Sequence, residues 1–154
     1  HDIMLMNTFK ILILSHENIE EWGQLRNLLW PNHPVNEHVK DGISMIASDN
    51  SISFLLCDDN GKFAGFADAS IRNDYVNGCS HSPVAYLEGI FILDEYRQLG
   101  LSKLLVDAVE NWGKIHGCLE LASDTSPDNH VSINMHKKLG FTPTETVIFF
   151  KKNL

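Results

Sequence analysis

The 154-residue sequence predicts a single α/β domain on a mixed β-sheet. Three observations carry this. Apolar β-rich runs and segments of helical periodicity follow in the order β-α-α-β-β-β-α-β-α-β. Residues 84–93 are apolar almost without interruption, as in a central strand covered on both faces. Leu101, Leu104, Leu105, Ala108, Val109 and Trp112 then form a stripe that suits a helix lying on a sheet.

Each element has its own signal. Residues 9–14 read as a strand ending near Ser15. Ile19, Trp22, Leu25, Leu28 and Leu29 recur at helical spacing, with Ser15 or Asn18 as the cap. Trp30-Pro31-Asn32-His33-Pro34 breaks that helix, and a second covers 35–47 although Gly42 sits inside it. Residues 52–57 and 63–72 read as a hairpin around Asp59-Asn60-Gly61-Lys62, with Asn60-Gly61 at its centre. Residues 73–83 hold Asn77-Gly78 and Ser82-Pro83 and read as a loop. A short strand at 119–122 is followed by a loop, then by a helix over 129–139 that Gly140 stops. Residues 144–151 close the series with a last β-rich run.

Composition narrows the class. With 44% hydrophobic and 21% charged residues the chain is an ordinary globular one. A formal charge of −8 argues against nucleic acid as partner and would steer a cationic substrate, although acidity also serves solubility alone. Cys57, Cys79 and Cys118 are widely spaced and odd in number, which fits a reducing cytoplasm rather than a disulfide framework. No apolar run approaches the roughly 18 residues that span a bilayer, so no membrane partner is expected. Residues 1–5 lack the n- and h-regions of a signal peptide and read as an added remnant before Met6, leaving 6–154 as the domain.

Four constellations bear chemistry. Arg97-Gln98-Leu99-Gly100-Leu101-Ser102 lies between the most apolar strand and the strongest amphipathic helix. There a turn presents N–H groups and the positive end of a helix to an anion, most naturally a pyrophosphate. It is neither a Walker A loop nor a G-x-G-x-x-G turn, and a plain turn is the alternative. Glu88, on the apolar strand, is a candidate general base lifted by partial burial, or else a salt-bridged Glu. Asp124 through Asn129 offer carboxylates for ammonium groups and an amide for a cofactor, or else ordinary turn and cap chemistry. His136 is a candidate proton donor or a boundary residue. The eight histidines lack H-E-x-x-H, and His130 with His136 has the wrong helical spacing, so no metal is expected.

Together these pieces resemble the GCN5-related N-acetyltransferase (GNAT) superfamily. Residues 86–93 match its central strand, 97–102 its acyl-CoA loop, and His136-Lys137-Lys138-Leu139-Gly140-Phe141 its second motif. Within it, the chain is similar to the aminoglycoside 6'-N-acetyltransferases. The strings that carry this likeness include Leu29-Trp30-Pro31-Asn32-His33-Pro34, Phe66-Ala67-Asp68-Ala69-Ser70-Ile71-Arg72, Asp74-Tyr75-Val76-Asn77-Gly78-Cys79 and Leu87-Glu88-Gly89-Ile90-Phe91.

The resemblance implies a mixed sheet with splayed parallel strands flanked by about four helices, with acetyl-CoA as co-substrate. It implies that Ile90, Phe91 and Ile92 hold the pantetheine arm and that Arg97 with Gln98, Leu99, Gly100, Leu101, Ser102 and Lys103 wraps the pyrophosphate. Asn129 would contact the cofactor arm. Trp30, His33, Tyr75, Glu88, Asp124 and Glu145 would meet the aminoglycoside, in an enzyme commonly homodimeric. Two positions depart from the pattern: Ser102 replaces a Gly or Ala, and His136 stands where many members carry a Tyr that protonates the leaving thiolate.

The expected reaction is direct transfer of acetyl to the 6'-amino group of kanamycin- or tobramycin-class drugs, conferring resistance. Glu88 is the base, Asp124 a second carboxylate, His136 the candidate acid, and backbone N–H near Ile90 the oxyanion donor. The alternatives are a GNAT enzyme for another amine, such as a polyamine or a protein N-terminus, and a non-catalytic acyl-CoA-binding module.

Overall fold

The structure is a computed structural model and describes residues 8–154. The expectation for residues 1–5 lies outside the described residues. Five strands form one sheet in the order β1 (Lys10–Ile13), β2 (Ser51–Cys57), β3 (Phe63–Arg72), β4 (Val84–Ile92) and β5 (Leu121–Ser123). Neighbours from β1 to β4 are antiparallel, and β4 with β5 is parallel. The helices are α1 (Ile19–Leu29), α2 (Val35–Ile46), α3 (Ser102–Ile115) and α4 (His130–Lys138).

Alternation along the strands builds a core on each face of the sheet. Phe54, Leu56, Ala67, Ala69 and Leu87 meet Leu105, Val106 and Val109 of α3 on one face. Leu55 and Phe66 meet Ile19, Trp22 and Leu25 of α1 on the other. Leu55, Leu56, Phe66 and Leu105 are fully buried, each worth about 2 kcal/mol in transfer free energy.

Several local expectations shift. Asn18 does not cap α1 through its side chain; its Oδ1 accepts from Ser15 N and its Nδ2 donates to the Ile13 carbonyl, closing the turn that enters the helix. The β2–β3 turn begins one residue earlier than Asp59. Asp58 Oδ1 accepts from the N–H groups of Asn60 and Lys62, and Gly61 N donates to the Asp58 carbonyl, so the carboxylate sets the turn. The short strand falls at Leu121–Ser123 rather than 119–122.

Two further differences bear on the site. β4 is buried only from Val84 to Leu87; Glu88 is exposed. Asp68 pairs with Gly89 but Ala69 pairs with Leu87, so Glu88 is the extra residue of a β-bulge. Residues 144–151, expected as a strand, form none in this chain. A strand needs a neighbour for its backbone groups, and this run has none among the described residues: Phe149 and Phe150 are each 89% exposed. No helix among the described residues is long and apolar enough to cross a membrane.

Candidate active site

The site begins where β4 and β5 part. Their pairing covers three positions, Ala85–Leu121, Tyr86–Ala122 and Leu87–Ser123, and ends there. Beyond it β4 continues through Ile90, Phe91 and Ile92 with pairing to β3 alone, so one backbone edge faces the gap. An open edge of this kind suits the amides of an extended acyl arm.

The turn after β4 is built for an anion. A single helical turn, Asp94–Tyr96, leads into Arg97, and Gln98 (φ 62°) and Gly100 (φ 74°) both take left-handed backbone. Space does not dictate glycine at 100, since a Cβ there would meet nothing within 4 Å; the backbone conformation does. Gln98 holds the same conformation without that freedom, a strain typical of ligand clamps. Among the described residues, none of the N–H groups from Gln98 to Ser102 finds a backbone acceptor. Leu101, the residue before α3, is buried and caps nothing, and the first turn carries no acid. Free N–H groups at an uncapped helix start are able to hold an anion.

Arg97 does not project freely into that turn. Its Nε donates to the Ile92 carbonyl at 2.7 Å and its Nη1 pairs with Asp94 at 2.6 Å, bracing the turn. Lys103 reaches along α3 to Asp107 at 2.9 Å. Asn129 caps α4, its Oδ1 accepting from Ser132 N at 3.1 Å, which leaves its amide NH2 for a ligand.

The other side of the gap is acidic and open. Glu88 lies at the rim, clasped by Arg72 at 2.9 and 3.2 Å and accepting from the Ser70 hydroxyl. Its charge is therefore matched by an ion pair, as in the salt-bridged alternative, rather than set by the partial burial expected of the base. The Arg72 guanidinium stacks 3.4 Å from the centroid of Tyr86, whose hydroxyl donates to Asp124. Burial, then the bond to Asp124, pushes the Tyr86 phenol well above its ordinary range. Asp124, Tyr75, His136 and Glu145 line one broad cleft together with Arg72 and Ser123.

Trp30 and His33 come from the opposite side, on the α1–α2 loop. Trp30 lies so close to β4 that a Cβ on Gly89 would stand 2.5 Å from its ring; glycine beside Glu88 makes room for the indole. Arg26 lies 4.9 Å from the Trp30 centroid and 4.7 Å from that of Trp22. It also pairs with the buried Asp68, Nε to Oδ2 at 3.0 Å. Burial outweighs that partner and lifts the Asp68 carboxyl to about 6.

His33 Nε2 is 2.9 Å from Asp41, and the buried His38 donates from Nε2 to the Trp30 carbonyl at 3.2 Å, with burial holding its imidazole below the usual range. His33, His38 and Asp41 bring donor atoms within 4.8 Å of one another. Arg26, 3.6 Å from Asp41, already supplies positive charge there.

His136 is tied at both ring nitrogens. Nδ1 lies 2.7 Å from the Ser132 carbonyl, and Nε2 lies 2.8 Å from the Ser123 hydroxyl.

The residues that sequence reasoning passed over are Arg72, Ser70, Tyr86, Arg26 and Ser123. Ser70 and Arg72 share a face of β3 two residues apart, which period-2 reading does show. Their meeting with Glu88 depends on the bulge, which no residue type announces.

A sheet that forks after its fourth strand, with an anion turn on one side and an acidic cleft on the other, defines an acyl-CoA-dependent transferase fold. Residues 22–141 match the acetyltransferase (GNAT) family, and the chain belongs to that family. Its relatives within the family are specific. The chain is 50% identical over 139 residues to the aminoglycoside N(6')-acetyltransferase type 1 of Salmonella enteritidis, covering 90% of this chain and 95% of that protein. The solved structure of aminoglycoside N-acetyltransferase AAC(6')-Iy with CoA is 48% identical, with a TM-score of 0.93 over 96% of this chain and 97% of that one. AAC(6')-Iy with the bisubstrate analog CoA-S-monomethyl-acetylneamine gives a TM-score of 0.92 at 48% identity, over 96% and 99% of the two chains.

Proposed function

We propose that this chain transfers acetyl from acetyl-CoA to the 6'-amino group of aminoglycosides and so confers resistance to them. The observation that carries the reading is the meeting of a free β4 edge and an uncapped anion turn with an open cleft holding Asp124 and Glu145. One half suits a nucleotide-bearing acyl donor; the other suits a polycation. The 50% identity to an aminoglycoside N(6')-acetyltransferase supports it.

The roles follow the geometry. Gln98 to Ser102 cradle the pyrophosphate, Arg97 holds the turn in shape, and Ile90 to Ile92 bind the pantetheine amides. Tyr75, Trp30 and His33 frame the acceptor, while Glu88, Asp124 and Glu145 bind its ammonium groups. A protonated amine cannot attack a thioester, so Glu88, directly or through water, removes a proton first. The free amine then attacks the carbonyl, and backbone N–H near Ile90 stabilises the oxyanion. Holding both substrates side by side supplies the entropic advantage without an acetyl-enzyme. His136 serves the departing sulfur.

The working form is a homodimer. The exposed β-rich run Ile148, Phe149 and Phe150 supports this, because its apolar side chains are largely uncovered among the described residues. Three thiols with no disulfide between them support residence in the cytoplasm.

Thiol release from acetyl-CoA with kanamycin, tobramycin, spermidine and a peptide amine as separate acceptors tests the reading. Release with the 6'-amino drugs, and none with a 6'-hydroxyl analogue, is expected. Release with spermidine or peptide alone would sink the drug assignment. Silence with all four despite acetyl-CoA binding would point to a binding module.

A further inference from the structure

Ser123 stands at the fork itself. It is the last residue of β5 and the last to pair with β4, and its hydroxyl lies 2.8 Å from His136 Nε2 and 3.3 Å from the Leu87 carbonyl. The other imidazole nitrogen, Nδ1, is 2.7 Å from the Ser132 carbonyl and 3.3 Å from the Ser132 hydroxyl. The nearer of these two partners, the carbonyl, only accepts, so the geometry favours a hydrogen on Nδ1 in either charge state of the ring, with the Ser132 hydroxyl as the longer contact. Nε2 is therefore where His136 gains and loses its proton, and Nε2 is directed at Ser123. Neutral His136 accepts from the Ser123 hydroxyl. Protonated His136 donates to Ser123 Oγ and turns the hydroxyl hydrogen toward the Leu87 carbonyl, the side where the strands separate.

We propose that Ser123 relays a proton from His136 to the sulfur that leaves in acetyl transfer. The inference rests on reading His136 as the general acid and the β4–β5 gap as the seat of the thioester. As the C–S bond breaks, its electron pair stays on sulfur. The Ser123 O–H proton moves to that sulfur and forms the thiol S–H bond, while Ser123 Oγ takes the Nε2 proton of the imidazolium. Thiolate and imidazolium thus become neutral thiol and neutral imidazole, and Ser123 ends as it began. His136, half-buried on the open cleft, recovers a proton from water. A hydroxyl suits the task because it donates and accepts at once with a hydrogen that rotates.

Two measurements test this. The first is the imidazole nitrogen spectrum of the ligand-free wild-type protein, which must show His136 in the Nδ1–H tautomer when neutral; an Nε2–H tautomer overturns the relay without any variant. The second is single-turnover thiol release with enzyme in excess over acetyl-CoA and saturating tobramycin. Ser123→Ala and His136→Gln are each expected to slow it by about 100-fold, the double variant no further, and Ser123→Thr by less than about threefold. Calorimetric affinity for coenzyme A should stay within about twofold throughout. Normal speed in Ser123→Ala with a slow His136→Gln would keep the acid and sink the relay. Normal speed in His136→Gln would remove the acid itself, and the relay with it. Losses that multiply in the double variant would make the two residues independent and overturn the proposal.

Discussion

Arg72 holds Glu88 through two nitrogens of one guanidinium, Nε 3.2 Å from Oε2 and Nη2 2.9 Å from Oε1. The same guanidinium lies on Tyr86, and Tyr86 donates to Asp124. One cation thus orders two carboxylates on different elements, one on the β4 bulge and one just past β5. Both carboxylates are held in place by the protein's own side chains.

Removing the carboxylate charge tests the base directly. Glu88→Gln keeps the shape and is expected to lower kcat by about 100-fold while acetyl-CoA affinity changes less than about twofold. Glu88 is exposed, so the melting temperature should hold. Unchanged turnover would show that Glu88 is not the base.

Arg72→Ala should act on Glu88 and Asp124 together. The side chains of the pair are 43% and 35% exposed, so the stability loss stays below about 1 kcal/mol. The expected loss in kcat/KM for the drug is about tenfold, through misplaced carboxylates, with KM for acetyl-CoA unmoved. Arg72→Lys retains the charge but not the two-nitrogen clasp or the flat stack, so it should recover only part of the loss.

Gly89→Ala puts a methyl where the Trp30 ring now lies, 2.5 Å away. Overpacking of this kind costs about 1–3 kcal/mol. Denaturant unfolding should show that loss, and, on the proposal that Trp30 frames the acceptor, KM for the drug should rise more than KM for acetyl-CoA.

The buried Asp68 makes stability depend on pH with a definite sign. Its folded carboxyl sits at about 6 against 3.8 for the free group. Between those values the native state binds more protons than the unfolded one, so its contribution falls as pH rises from 3.8 to about 6 and is level above. The displacement amounts to about 3 kcal/mol at roughly 1.4 kcal/mol per tenfold. Above about pH 6, where Asp68 is ionised, Asp68→Asn destabilises the fold by leaving Arg26 without its buried counterion. It should also erase this one slope. Urea midpoints at pH 4.5 and 7 for both proteins check it: an identical pH difference in wild type and variant would refute the assignment.

Phe149→Asp places a charge in the exposed apolar run. If that run seats a second copy, sedimentation should show a dimer for the wild type and a monomer for the variant, with the single-chain core still folded. A wild-type monomer would refute the homodimer.

Much of the fold was legible because it rests on local pattern. The strand at Phe63–Arg72 appears with the expected bounds, and α1, α2 and α4 fall within two residues of expectation, since apolar periodicity and turn residues act over a few positions. The turn at Gln98–Ser102 was legible for the same reason: its backbone geometry is made by adjacent residues. The last strand misled because β-propensity describes what a segment can do and not whether a neighbour is present.

The sequence by itself determined the order of elements as far as the fourth helix, the two-faced apolar core, the turn between β4 and α3 and the acidic character of the chain. Tertiary structure alone decided that Glu88 sits on a bulge facing solvent, that Arg72 clasps it across two strands, that Gly89 admits Trp30, and that Ser123 meets His136. These pairs lie between 13 and 59 residues apart in the chain. Their meeting is set by strand register and by the point at which β5 leaves β4, properties of how elements pack and of no single stretch of residues.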